Sequence, residues 1–256
     1  MRRSLAVFRL TTSSLLIALS IVLQRFFVFP AGPSVYRISL ANVPIIFASL
    51  IMGPIYGGIV GALSDLTGTL LFPVGSFLPW PLISATLYGV LPFLLIEGIR
   101  RIPVVIKTIL FHVLAVSVYI FVVVYIFKNN QALYWSDSSG EKYLEFSPLF
   151  KILFLSMISL LGLILSGSIT WLQIKNKDTP PNEITWRIVD LAFVLLITRI
   201  ILDVIFATLW KETVMGADYV ISVFFHTIIL LILVPLETFI LTLISKPLSN
   251  IKSRFS

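Results

Sequence analysis

Residues 53–79, GPIYGGIVGALSDLTGTLLFPVGSFLP, decide the fold class of this chain. The run is long enough to cross a bilayer as a helix. Glycines at 53, 57, 58, 61 and 68 nevertheless thin one face of it, and Asp65 sits well inside. A span that met only lipid would be rich in Leu, Ile and Val. Small residues let neighbouring helix backbones approach, and a carboxylate at membrane depth turns toward a bundle interior or a wetted cavity. The stretch predicts a helix packed inside a membrane bundle, with one polar group facing inward.

The surrounding chain agrees with that reading. Its 256 residues are 58% hydrophobic and 12% charged, with a mean hydropathy of +1.02, so there is too little polar surface to cover a soluble globule. The chain has no cysteine, and its two histidines are His112 and His226. Disulfides, thiolate metal sites and histidine-rich metal sites are excluded, and no metal or cofactor is expected. The basic start MRRSLAVFR runs into a long apolar stretch with no small-residue cleavage site behind it. A first span, not a cleaved signal peptide, is expected there, with the mature chain beginning near Met1.

Apolar runs of bilayer length predict an all-α polytopic protein with about eight segments, near 11–29, 38–52, 54–71, 80–98, 106–127, 150–172, 188–210 and 219–246. The second is short and carries Asn42 and Pro44, so it either leans on other helices or breaks. The last is long, and Pro235 is expected to kink it. Breaker-rich joints stand at Phe29–Pro33, Met52–Pro54, Phe72–Gly75 and Asp178–Asn182.

Charge supplies an orientation. Placing the N-terminus inside puts Arg2, Arg3, Arg9, Arg100, Arg101, Lys107, Lys175, Lys177, Arg187, Lys246, Lys252 and Arg254 on or near the cytoplasmic side. Those are twelve of the 19 Lys and Arg, against six outside and Arg199 within a span. The positive-inside rule then favours both termini in the cytoplasm. The external stretch 128–150 sets Lys128 and Lys142 against Asp137, Glu141 and Glu145, as a solvated loop would. The net charge of +7 mostly reflects topology, and no basic run interleaved with aromatics argues for nucleic acid.

Several of these segments, taken in order, resemble one family. SLLIALSIVLQRFF, RISLANVPI, GPIYGGIVGALSDLTG and LLFPVGSFLPWPLISATLYG between residues 11 and 98, with DVIFATLW and ILVPLE between 203 and 240, are similar to the substrate-binding S components of energy-coupling factor (ECF) transporters, folate type. The resemblance covers about half the chain. It implies a six-helix vitamin-binding bundle that docks on a transmembrane coupling subunit driven by two cytoplasmic ATPases. This chain needs no nucleotide site of its own, and it carries no GxxxxGK[ST]. The surplus over six spans falls in 106–172. The expected organisation is therefore residues 1–105 as the first four spans of the core, 106–187 as an inserted transmembrane hairpin with its loops, and 188–256 as the last two core spans.

Ser14 and Ala18 form a small-xxx-small pair on the first span, where the family docks on its coupling subunit; internal packing is the alternative for such a pair. Gly57 and Gly61 repeat that spacing and are expected to pack helices within the protein. Asp65 is read either as a substrate contact or as a structural hydrogen-bond group. Arg25 and Arg37 flank the first external loop, where a guanidinium fork suits a vitamin carboxylate and snorkelling to headgroups is the alternative. Phe72, Pro73, Gly75, Phe77 and Trp80 form a second external loop whose aromatic faces suit a flat ring, with an interfacial aromatic belt as the other account.

In the seventh span Arg199 and Asp203 are four apart and can neutralise each other. Where the family pattern reads NxxxNTLW, this chain has Asp203, Ala207, Thr208, Leu209 and Trp210, and His226 stands where an arginine is expected. Asp203, Trp210 and His226 are therefore candidate substrate-binding residues, and the identity of the vitamin is open between folate and a related flat-ring compound. An intramembrane hydrolase built on Ser64 and His226 lacks the GxSG or HExxH setting. A stand-alone ion-coupled secondary transporter using Asp65, Asp190, Arg199, Asp203 and Glu237 remains the alternative.

Overall fold

The computed structural model describes residues 2–30, 36–73, 78–128, 133–137, 140–144, 188–215 and 219–252, with short helical pieces between 148 and 171. In chain order the elements are α1 (Arg2–Phe26), β1 (Val28–Pro30), β2 (Arg37–Ser39), α2 (Asn42–Met52), α3 (Pro54–Leu71), α4 (Pro79–Ile99) and α5 (Val104–Lys128). They continue with β3 (Leu133–Asp137), β4 (Gly140–Leu144), α6 (Ile188–Arg199), a π-helical segment (Ile200–Ala207), α7 (Thr208–Met215) and α8 (Tyr219–Lys252). This is an all-α, multi-pass membrane protein. Among the described residues, four helices are long and apolar enough to cross a bilayer: Val7–Phe26, Pro79–Ile99, Val104–Lys128 and Ile221–Ile244.

The expected span at 150–172 lies mostly outside the described residues. Two stretches expected as plain loops contain antiparallel ribbons instead. Val28 pairs with Ser39 and Pro30 with Arg37, and Leu133 pairs with Leu144 in the segment expected as a solvated loop. Tyr, Trp, Val and Ile in these stretches favour a pleated backbone once two such runs meet across a turn.

The short α2 leans on other helices. Ile46, Ala48 and Ser49 are fully buried, and nearly every other side chain from Val43 to Met52 is buried with them. A helix apolar all round belongs in the middle of a bundle, and α2 is packed among α1, α3, α4 and α8. Pro44 falls in its first turn, where a missing N–H removes no intrahelical bond, so the helix starts there and does not break. Gly53, at φ 92°, turns the chain from α2 into α3 through a conformation that side chains with a Cβ rarely adopt.

The glycines of α3 bring it into backbone contact with α4. A Cβ on Gly57 would stand 2.1 Å from the Gly89 carbonyl oxygen, and one on Gly61 would stand 2.1 Å from that of Ala85. Gly57 and Gly61 thus pack helices within the protein. Helix α6 is buried on all sides, with Val189, Leu191, Ala192, Val194, Leu195 and Leu196 each nearly inaccessible. Helix α5 lies against α6 and α8, and its buried Lys107 pairs with Asp190 of α6. The last helix is assigned as continuous across Pro235.

Candidate functional site

Chain alternation gathers one set of helix ends around a cavity of about 320 Å³. Gln24 and Arg25 enter from the end of α1, Arg37 and Ser39 from β2, Asn42 from the start of α2, and Asp65 from α3. Pro81, Ser84 and Tyr88 come from the first turns of α4, Asp203 and Ala207 from the π-helical segment, Trp210 and Lys211 from α7, and His226 from α8.

Three polar clusters form the wall. In the first, Gln24 Nε2 donates to Asp65 Oδ1 at 3.2 Å and Arg25 Nη2 approaches Thr69 Oγ1 at 3.4 Å. Gln24 Oε1, Asp65 Oδ2 and Arg25 Nε are buried and have no hydrogen-bond partner among the described residues. Two acceptors and one donor are thus desolvated beside the cavity, an arrangement that costs free energy unless a ligand or water meets it. Gly68 makes room for this cluster, because a Cβ there would come within 2.9 Å of Gln24 Oε1.

The second cluster closes on itself. Arg199 Nε donates to Glu237 Oε2 at 2.9 Å, Arg199 Nη2 pairs with Glu237 Oε1, and Arg199 Nη1 donates to Asp203 Oδ2 at 2.5 Å. Tyr88 Oη donates to Asp203 Oδ1 at 2.7 Å, so both carboxylate oxygens of Asp203 are occupied. The Arg199 guanidinium also lies 5.5 Å from the Tyr88 ring centroid. Arg199 and Glu237 are 2% and 0% exposed, so this is a buried charged network satisfied by its own members.

The third cluster carries a buried lysine. Lys211 Nζ lies 3.0 Å from His226 Nε2 and 4.4 Å from the centroid of the Tyr36 ring. His226 Nδ1 faces Thr208 Oγ1 at 3.0 Å. Tyr36 stacks on Phe225 at 4.9 Å and meets His226 edge-on at 5.3 Å, which fixes the chain after β1 against α8. Phe224 and Tyr125 pack at 4.8 Å, so α5 backs the part of α8 that carries His226.

The family described as "ECF transporter, substrate-specific component" matches residues 8–170 of this chain. The chain belongs to this family. The family is a transporter component, not an enzyme family. A curated relative, "Folate transporter FolT" of Clostridium novyi (strain NT), is 34% identical over 79 residues. That match covers 29% of this chain and 45% of the relative, so the chain spans about half the relative's length. No solved structure matches the chain.

In this substrate-specific component, six of the candidate substrate-binding residues line the cavity together: Arg25, Arg37, Asp65, Asp203, Trp210 and His226. Phe72, Pro73 and Trp80 stand outside its wall. Phe72 and Pro73 are exposed beyond α3, where the Phe72 ring lies 5.9 Å from that of Phe26, and the Trp80 ring lies 6.2 Å from Phe206. Gly75 and Phe77 lie outside the described residues. Ser14 and Ala18 are exposed on α1, whereas Ser13, Leu16 and Ser20 of the same helix are buried. Ser64 donates to the Val60 carbonyl at 2.6 Å and makes no pair with His226.

Sequence reasoning missed Gln24, Tyr36, Tyr88 and Lys211. Gln24 directly precedes Arg25 at the end of a span, which was a legible signal. Lys211 counted only among the six basic residues of the external side, and no sequence pattern singled out Tyr36 or Tyr88. Arg199 and Asp203 do pair, and the finding adds Glu237 and Tyr88 to them.

Proposed function

We propose that this chain is the capture subunit of an ECF vitamin importer, binding folate or a related flat-ring vitamin from outside. The observation that carries the reading is the cavity itself: the segments that resemble the folate-type family converge on it and leave desolvated, unpartnered polar atoms of Gln24, Arg25 and Asp65 at its edge. A volume of about 320 Å³ suits a small organic solute. The name of the folate transporter relative points to the same class of substrate. Arg25 and Asp65 are assigned to hydrogen bonds with the vitamin, Trp210 to its ring, and Arg37 to the mouth. Phe72, Pro73, Gly75, Phe77 and Trp80 are assigned to the loop that flanks the entrance.

Delivery follows the family's arrangement. The exposed Ser14 and Ala18 stripe of α1 docks on a coupling subunit energised by two ATPases, with both termini of this chain in the cytoplasm. Residues 1–105 and 188–256 form the substrate-binding core, and 106–187 an inserted hairpin that completes eight spans. No bond is made or broken by this chain.

The test is to purify the protein from its membrane and identify the small molecule and subunits that come with it by mass spectrometry. A flat-ring vitamin together with a coupling subunit and two ATPases is the expected result. Uptake by the chain alone in liposomes under an ion gradient would favour a secondary transporter in its place.

A further inference from the structure

We infer that Gln24 and Asp65 read the ring edge of the bound vitamin: their two unpartnered acceptor oxygens, beside the donor Nε of Arg25, select an edge with two adjacent N–H donors and a carbonyl, as a 2-amino-4-oxo ring carries. The inference rests on vitamin capture at this cavity and adds the chemical edge that is captured, with Gln24 as a residue that selects it.

Occupied groups narrow the choice. Both carboxylate oxygens of Asp203 accept hydrogen bonds, one from Arg199 and one from Tyr88, and Arg199 spends Nε, Nη1 and Nη2 on Glu237 and Asp203. Ser39 Oγ donates to the Leu23 carbonyl and accepts from the Ala41 N–H. Ala207 lines the same wall with no polar side-chain atom. Among the described residues of the cavity wall, the buried side-chain atoms without a hydrogen-bond partner are Gln24 Oε1, Asp65 Oδ2 and Arg25 Nε. A ligand that meets them recovers the cost of their desolvation, and one that does not is rejected by it.

The chemistry of the three atoms sets the pattern. A carboxylate only accepts, so the amide nitrogen of Gln24 faces Asp65 Oδ1 at 3.2 Å and the amide oxygen is turned away from it. A Cβ built on Gly68 would stand 2.9 Å from Gln24 Oε1 and 3.6 Å from Arg25 Nε, so this acceptor and this donor share one bare patch of α3. Asp65 lies about one turn earlier on the same helix. The three atoms sit just beneath the cavity surface, and turning the side-chain torsions of Gln24 and Arg25 brings them to a ligand without moving a helix. Two acceptors and one donor call for an edge of two donors and one acceptor. A 2-amino-4-oxo ring presents its amino group, its ring N–H and its carbonyl along one side. A 2,4-dioxo ring puts a carbonyl where the amino group stood, and an acceptor then faces an acceptor.

The experiment is calorimetric titration of the full-length protein in nanodiscs with folic acid, whose ring is of the 2-amino-4-oxo kind, and with its 2-oxo analogue. The analogue keeps the tail and the ring and exchanges the 2-amino group for a carbonyl. Riboflavin, thiamine and biotin complete the panel. The expected result is that folic acid binds and the analogue binds about a hundredfold more weakly. In Gln24→Met the affinity for folic acid falls by about tenfold or more and that for the analogue falls less, so the preference shrinks. Asp65→Asn, which puts an amide donor within reach of the same position, shrinks it as well and serves if the methionine variant does not fold. Equal binding of folic acid and its analogue by the unmodified protein, or equal losses for both in the variants, overturns the edge reading and leaves vitamin capture standing. Binding of riboflavin, thiamine or biotin in place of folic acid does the same. Binding of no vitamin overturns both.

Discussion

Arg199 of α6 and Glu237 of α8 hold each other side-on, Nε to Oε2 at 2.9 Å and Nη2 to Oε1, where neither side chain meets solvent. The pair ties the last turn of α6 to the middle of the last helix. A buried pair of this kind stabilises little compared with apolar packing, but losing one partner strands a charge. Glu237→Gln or Arg199→Met should each destabilise the protein by about 3–5 kcal/mol. The loss is read as a fall in thermal unfolding temperature in detergent. Replacing both residues by apolar side chains of matched volume should recover most of it, and an additive double loss would contradict the account.

The α3–α4 contact gives a second expectation. Gly61→Val places atoms where the Ala85 carbonyl stands, whereas Gly98 has nothing within 4 Å of a built Cβ. Overpacking at Gly61 should cost about 1–3 kcal/mol or prevent folding, while Gly98→Ala should leave stability unchanged. Size-exclusion profiles and melting curves of the two variants make the comparison.

A third concerns docking. Ser14→Leu and Ala18→Leu lie on the exposed face of α1, away from the cavity wall. Both should reduce uptake in cells that hold the whole transporter and leave the vitamin affinity of the isolated chain unchanged. Normal uptake by the double variant would remove this face from the coupling interface.

Arg25→Ala and Asp65→Asn act on the cluster with unpartnered atoms. Each removes a group able to bond the ligand, so vitamin affinity should fall by about 1.5–3 kcal/mol, as titration calorimetry would record. An unchanged affinity in both would assign the cluster to structure alone.

Lys107 and Asp190 give the contrasting case, a buried pair between α5 and α6 that does not line the cavity. Lys107→Met should destabilise the protein with vitamin affinity preserved, as melting and titration of one preparation would show together. A weakened affinity at unchanged stability would tie α5 to the binding site.

Much of the site was legible because membrane burial makes polar residues conspicuous. Arg25, Asp65 and Asp203 stand out from apolar runs, and each lines the cavity. The small pair at Ser14 and Ala18 was legible as a stripe, though only packing shows that it faces outward while Ser13 and Ser20 face inward. Tyr88 and Glu237 were illegible as partners of one network, since their sequence separations from Asp203 and Arg199 say nothing about distance. The π-helical segment was equally hidden, because its apolar residues fit any helical period.

Sequence by itself determined that this is a multi-pass membrane protein with a glycine-thinned helix and inward polar groups, because composition and the cost of burying polar atoms in lipid leave few other solutions. Only the tertiary structure decided which of those polar groups neutralise one another. Arg199 is taken up by Glu237 and Asp203, Arg25 is set beside Asp65, and Lys211 is oriented by His226 toward the cavity. Charge pairing is set by distances between helices, and those distances depend on side-chain packing that no single stretch of sequence contains.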